Sequence, residues 1–237
     1  MDKQGLINLD FDFRLDTPTG KDPDAVSPTL RNYHKILWSK LLPNGEMFEL
    51  TDKKSGKYLY HNSNLGEFFL GSDGIIHSYK STKKMSHIIE KIQSDIIDSF
   101  QETSYTIGGF IIFPSNRIDM KMTINGARGC NSQISDRFDL TLECIRLFYQ
   151  DIENPLTEVF KRYNDFFKLF VDFKGYVDFF LLQDLVTPDY KEIKFFINHN
   201  SFEVKPLPQD VNEYLAYKDK TIKFIELRAQ RMMESLK

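Results

Sequence analysis

The hydrophobic period of this chain changes once, and that change restricts the fold more than any other feature of the sequence. Up to about residue 125 the apolar residues come in short alternating or continuous runs separated by Gly, Asn, Ser, Pro and Asp clusters, the pattern of strands and turns. In the last hundred residues they recur at helical spacing. Ile134, Phe138, Leu142, Ile145 and Phe148 share one face, Tyr163, Phe166, Phe167, Phe170 and Phe173 the next, and a longer stripe with Tyr214, Ile222, Ile225, Ala229 and Met232 follows Asp210. A run of strands followed by a run of helices predicts an α+β fold, not alternating βαβ units. The expected organisation is one domain over 1-237, with a β-rich lobe over about 1-125 and a helical lobe over about 126-237.

Within the first lobe, Leu9 to Leu15 alternates strictly and predicts a half-buried strand. A helix is expected from Thr29 to about Ser39. A meander follows, with strands at Met47 to Leu50, Lys57 to His61, Glu67 to Gly71 and Ile75 to Tyr79. Asp73-Gly74 is the strongest hairpin signal, because a type I′ turn needs positive φ at both central positions; it would pair Leu70 with His77 and Phe68 with Tyr79. Residues 85 to 100 carry isoleucines at helical spacing, and Thr106 to Phe113 reads as a buried strand. The 21 phenylalanines imply a core built on large rings, with Phe138, Phe166, Phe170 and Phe180 inside.

The formal net charge of -3 gives no global field toward nucleic acid or an anionic membrane. The apolar runs are too short for a membrane span and residues 1 to 6 carry no apolar leader, so a cytoplasmic protein is expected. Cys130 and Cys144 match neither a zinc site nor a disulfide framework. No metal ligand set is legible, and no cofactor can be assigned.

Chemistry concentrates after residue 122. Thr123 to Gly129 lies between an expected strand at Met120 to Ile124 and a helix expected from near Ser132. Two glycines there permit a tight turn, and the helix N-terminus that follows offers unpaired N–H groups to an anion. Arg128 can grip a phosphate or carboxylate through its fork, Asn125 can bond a neutral part of the same ligand, and Gly129 allows close approach. An ordinary loop with Arg128 salt-bridged to the next helix is the alternative. The spacing fits neither a Walker A loop nor a dinucleotide fingerprint. Asp136, Asp139 and Glu143 form a carboxylate stripe with Arg137 at its edge and Arg146 beyond. It is either a solvated face or, in a cleft, a source of a general base. His34, beside Trp38 and Lys40, is the histidine with most claim to catalysis. The candidates are therefore Asp136, Glu143 and His34 for catalysis, and Asn125, Arg128, Gly129 and Arg137 for ligand binding.

Leu37-Trp38-Ser39-Lys40 with Leu42-Pro43-Asn44-Gly45, Thr106-Ile107-Gly108-Gly109 with Ile112-Phe113-Pro114, Thr123-Ile124-Asn125 with Ala127-Arg128-Gly129, and Asp136 to Arg146 together resemble a bacterial protein family of unknown function. The resemblance continues through Gly175 to Asp184. It implies a bacterial origin and a single-domain unit, and it transfers no catalytic residue. Two functions fit these residues: an intracellular protein that binds or processes a phosphate-bearing small molecule or RNA end, or a non-catalytic module that binds a protein partner in a multi-gene defence or toxin-control system. Exposed aromatic anchors would favour the module, and a polar cleft with Arg128 and the carboxylates would favour the first.

Overall fold

The computed structural model describes residues 4–52, 58–200 and 202–237 and is α+β, with its sheets in the N-terminal half and most of its helices in the C-terminal half. Ser27 caps a helix at Pro28–Trp38 (α2) by accepting from Leu30 N–H, with Pro28 at the first helical position, where a missing N–H costs nothing. A four-residue helix, Pro23–Val26 (α1), precedes it. Lys40–Leu41 (β1) and Met47–Phe48 (β2) pair alone. Thr51–Asp52 (β3), Leu59–Ser63 (β4), Gly66–Gly74 (β5) and Phe110–Pro114 (β6) form an antiparallel sheet in the order β3-β4-β5-β6. The expected strand start at Lys57 lies outside the described residues.

Four expectations for the first half are overturned, and local side chains or distant partners account for most of the difference. Residues 9 to 15 are turns. Asn8 Oδ1 accepts from Asp10 N–H, Asp12 Oδ1 accepts from Arg14 N–H, and the Thr17 hydroxyl donates to Phe13 C=O, so side chains take backbone groups that a ladder would need. Phe13 is buried, whereas Leu15 is 78% exposed. Asp73-Gly74 is no hairpin turn but the end of β5, paired with Ile111 and Phe110 of β6, and the returning strand expected at Ile75 to Tyr79 does not form; Phe68 pairs with His61, and Leu70 with Leu59 and Pro114. The turn falls instead between Ser63 and Gly66, where Gly66 has φ 131°. The helix expected over 85 to 100 breaks into Ser86–Ile89 (α3) and Ser94–Ser104 (α4), separated by tight turns.

The fourth correction bears on the site. No strand covers Met120 to Ile124, because Asp119 and Met120 hold positive φ. The glycine-containing segment is not a loop but a helix, Ile124–Cys130 (α5), capped by the Thr123 hydroxyl, which accepts from Gly126 N–H at 3.3 Å. The next helix is Phe138–Phe148 (α6). The phenylalanine-rich stretch is likewise divided, into Thr157–Arg162 (α7), Asn164–Lys168 (α8) and Phe173–Phe179 (α9).

Phe138, Phe166, Phe170 and Phe180 are each 0% exposed, and Phe170 packs against Phe166, Tyr176, Phe179 and Phe180 at ring separations of 5.0 to 5.3 Å. The last helix, Val211–Glu234 (α10), closes the core. It approaches Gly108 so closely that a Cβ there would lie 2.4 Å from Ile225 C=O. Arg228 of α10 donates to the carbonyls of Gly108, Phe110 and Phe180, tying the helix to the start of β6. Among the described residues, no helix is long and apolar enough to cross a membrane.

Candidate functional site

The end of β5 carries Asp73 and Gly74 to the back of a cleft of about 520 Å³. Asp24, which follows the cap residue Asp22 of α1, reaches the same point, and its Oδ2 accepts from Gly74 N–H at 3.0 Å. The His77 ring also hydrogen-bonds to the Gly74 backbone. An acid and an imidazole are thereby fixed on the backbone of one residue, Gly74, and line one cleft. The segment holding His77 is set by α10: Tyr217 donates its hydroxyl to His77 C=O at 3.0 Å, and Tyr214 donates to Ser78 C=O at 2.7 Å.

Behind the cleft lies Arg128. Its guanidinium is fully buried, ion-paired with Asp73, and donates to the Thr141 hydroxyl and to Asp136 C=O. Its Nη2 is also 3.2 Å from Asp136 Oδ1, an ion-pair distance without hydrogen-bond alignment. Asp136 Oδ2 lies 3.2 Å from His77 Nε2, again unaligned. Asp24 Oδ1, His77 Nε2 and Asp136 Oδ1 are all buried atoms without a hydrogen-bond partner. A buried polar atom without a hydrogen bond costs folding free energy of about 1–3 kcal/mol, which the ion-pair contacts of His77 and Asp136 offset and nothing offsets at Asp24 Oδ1. The backbone carries strain here too: Tyr79, Ser135 and Asp136, all lining the cleft, have φ of 55°, 45° and 64°.

Burial and the neighbouring carboxylates set the charges. Desolvation, reinforced by Asp73 and Asp22, raises the Asp24 carboxyl well above the usual carboxylate range. Desolvation likewise pushes Asp73 up to about 7, with Arg128 pulling the other way. The His77 imidazole is lowered by desolvation, which the Asp136 carboxylate opposes. Burial thus favours the protonated acid at Asp24 and the neutral imidazole at His77.

The structure separates the residues that the sequence grouped. Asp136 and Gly129 meet at the cleft, where a Cβ on Gly129 would sit 3.7 Å from Asp136 Oδ2. Arg128 stands behind the wall in ion pairs and presents no open fork, unlike the partly exposed arginine that the anion-site reading requires. Asn125 is exposed and outside the cleft lining. Arg137 is buried against Asp139. Glu143 pairs with Arg146 and borders a separate groove of about 680 Å³ with His199. His34 is in the core: Trp38 Nε1–H donates to its Nδ1, which leaves Nε2 as the protonated nitrogen facing the Ser72 hydroxyl at 2.9 Å. Burial holds it down to about 3, so it stays neutral. The carboxylate stripe thus splits three ways, to the cleft, a buried pair and a surface pair. Sequence reasoning missed Asp24, Asp73 and His77, since no spacing joins residues 24, 73, 77 and 136. Among the described residues, no three His, Cys, Asp or Glu side chains are placed to hold a metal ion.

These features define an α+β protein with a buried acid–imidazole cluster opening into a single cleft. The chain belongs to a family of unknown function, DUF6994, whose model matches residues 7–232. No curated protein and no solved structure matches it.

Proposed function

We propose that the cleft binds a phosphate-bearing molecule of nucleotide size, a free nucleotide or an RNA end, and acts on it by proton transfer. Asp24 donates the proton, and His77 Nε2 accepts one, its cationic form then stabilised by the adjacent Asp136 carboxylate. Arg128 is a positioning residue that fixes Asp73 and Asp136. The observation that carries this reading is the convergence on one cleft of three buried titratable atoms that lack a hydrogen bond. The phosphate meets Lys83 and Lys84, exposed lysines of the cleft rim.

The competing reading, a protein-interaction module, calls for aromatic anchors at the surface. The large apolar side chains that reach solvent are Leu, Val, Met and Ile, and among the described residues no Phe, Tyr or Trp is exposed.

A thermal-shift screen with nucleoside phosphates and sugar phosphates tests the proposal. A ligand at 100 times its Kd stabilises the fold by about 2.7 kcal/mol. Turnover of the hit is expected to vanish in Asp136→Asn and His77→Ala and to persist in Glu143→Gln. Absence of stabilisation by every phosphate compound would overturn the reading in favour of the interaction module.

A further inference from the structure

Beside the cleft lies a second cavity, of about 380 Å³, which shares Lys84, Ser135 and Leu207 with it. The two differ in charge. The cleft mixes the carboxylates Asp22, Asp24 and Asp136 with Lys80, Lys83 and Lys84, whereas the second cavity carries Lys84, His87 and Lys205, the hydroxyls of Ser132 and Ser135, and no carboxylate. Lys80, on the same loop as Lys84, already pairs with Asp98; Lys84, His87 and Lys205 are in no ion pair among the described residues. The wall that presents Lys205 is held from inside, because buried Arg137 donates to Pro206 C=O at 2.8 Å and Pro206 and Pro208 fix their own φ.

We infer that this cavity is the phosphate subsite and that the ligand lies across both spaces in one orientation. Two ammonium groups and an imidazole around a confined space favour an anion with several acceptor oxygens. The Asp22 and Asp136 carboxylates of the neighbouring cleft repel the same anion. A phosphate ester therefore seats its phosphate among Lys84, His87 and Lys205 and lays the uncharged, hydroxyl-bearing part of the molecule over Asp24 and His77. This selects nucleotides and sugar phosphates, whose reacting group stands about one sugar ring away from the phosphate. It rests on the reading above for the reacting end only; phosphate capture requires neither Asp24 nor His77.

Isothermal titration of the full chain with tripolyphosphate tests the subsite, in wild type, in the Lys84→Gln/Lys205→Gln double variant and in Asp24→Asn. Both lysines are exposed, so the double variant is expected to fold as wild type does. Its affinity should fall roughly tenfold or more, and the wild-type affinity should weaken as salt rises. Asp24→Asn should bind within about twofold of wild type, because it removes no phosphate contact. Equal binding by the double variant and wild type, or no binding by wild type, overturns the subsite. Tripolyphosphate binding that depends on the two lysines, with no turnover of any phosphate ester, keeps the subsite and sinks the proton-transfer reading instead.

Discussion

Two arginines on neighbouring elements are both buried, and their surroundings differ in kind. Arg137 is saturated: Nε and Nη2 donate to Asp139 at 3.1 and 2.5 Å, and further bonds run to Pro206 C=O and Ile197 C=O. Asp139 in turn accepts from Phe196 N–H at 2.8 Å. Arg128 anchors an unfinished network, in which Asp136 and the nearby His77 and Asp24 keep atoms without a hydrogen bond beside an open cleft. A saturated buried pair holds a fold together. An unsaturated one at a cleft keeps interaction energy in reserve for something that enters.

The sharpest way to break this contrast is to remove one carboxylate from each network. Asp139→Ala strands a buried guanidinium and is expected to cost about 3–5 kcal/mol in urea unfolding. Phe170→Ala, which touches no charge, should cost a similar roughly 3–5 kcal/mol through its cavity. Asp136→Ala should cost only about 1 kcal/mol, because its side chain is 29% exposed and Arg128 keeps Asp73. Equal losses at Asp136 and Asp139 would mean that the two networks serve the fold alike.

The pH dependence of stability tells the networks apart more finely. The Asp24 carboxyl is raised in the folded protein, so the folded state holds a proton that the unfolded chain has released. That contribution is fully present below the unfolded carboxyl pKa, near 4, and is lost as pH climbs toward the raised folded value. Asp24→Asn cannot titrate. Relative to wild type it should gain stability as pH rises from about 4 to 8, reaching about 0.5–2 kcal/mol, the usual size of a single stabilising substitution. A difference that stays flat between those pH values would show that Asp24 is ionised like an ordinary surface carboxylate.

The fold was legible where the determinants are local. The α2 helix runs Pro28–Trp38 against an expectation of 29 to 39, since its cap and its apolar stripe lie within a dozen residues. The core phenylalanines could be read from helical spacing because burying large rings leaves little choice of face. Asp73-Gly74 misled because the turn reading assumed that a carboxylate serves its own backbone, whereas this one is held by an arginine 55 positions away. The site was legible only in part for the same reason. Arg128 and Asp136 are eight residues apart and could be grouped from the sequence, but His77 is set by Tyr217, 140 positions distant, and Asp24 by the far end of β5.

The smallest expected effect concerns the strain beside the cleft, and it asks whether the reserve lies in the backbone or in the side chains. Ser135 has φ 45°, a left-handed conformation that costs a residue with a Cβ roughly 1–2 kcal/mol. Ser135→Gly removes that cost but frees the unfolded chain, which takes back about 0.4–1 kcal/mol. The hydroxyl contributes little, since its bond to Ser132 C=O is long at 3.4 Å. The terms partly cancel, and Ser135→Gly is expected to be more stable than wild type by about 0–1.5 kcal/mol. A clear loss of stability would show that the Ser135 side chain is needed to hold the turn that presents Asp136. The saturation contrast between the two arginines would then extend to the backbone that carries them.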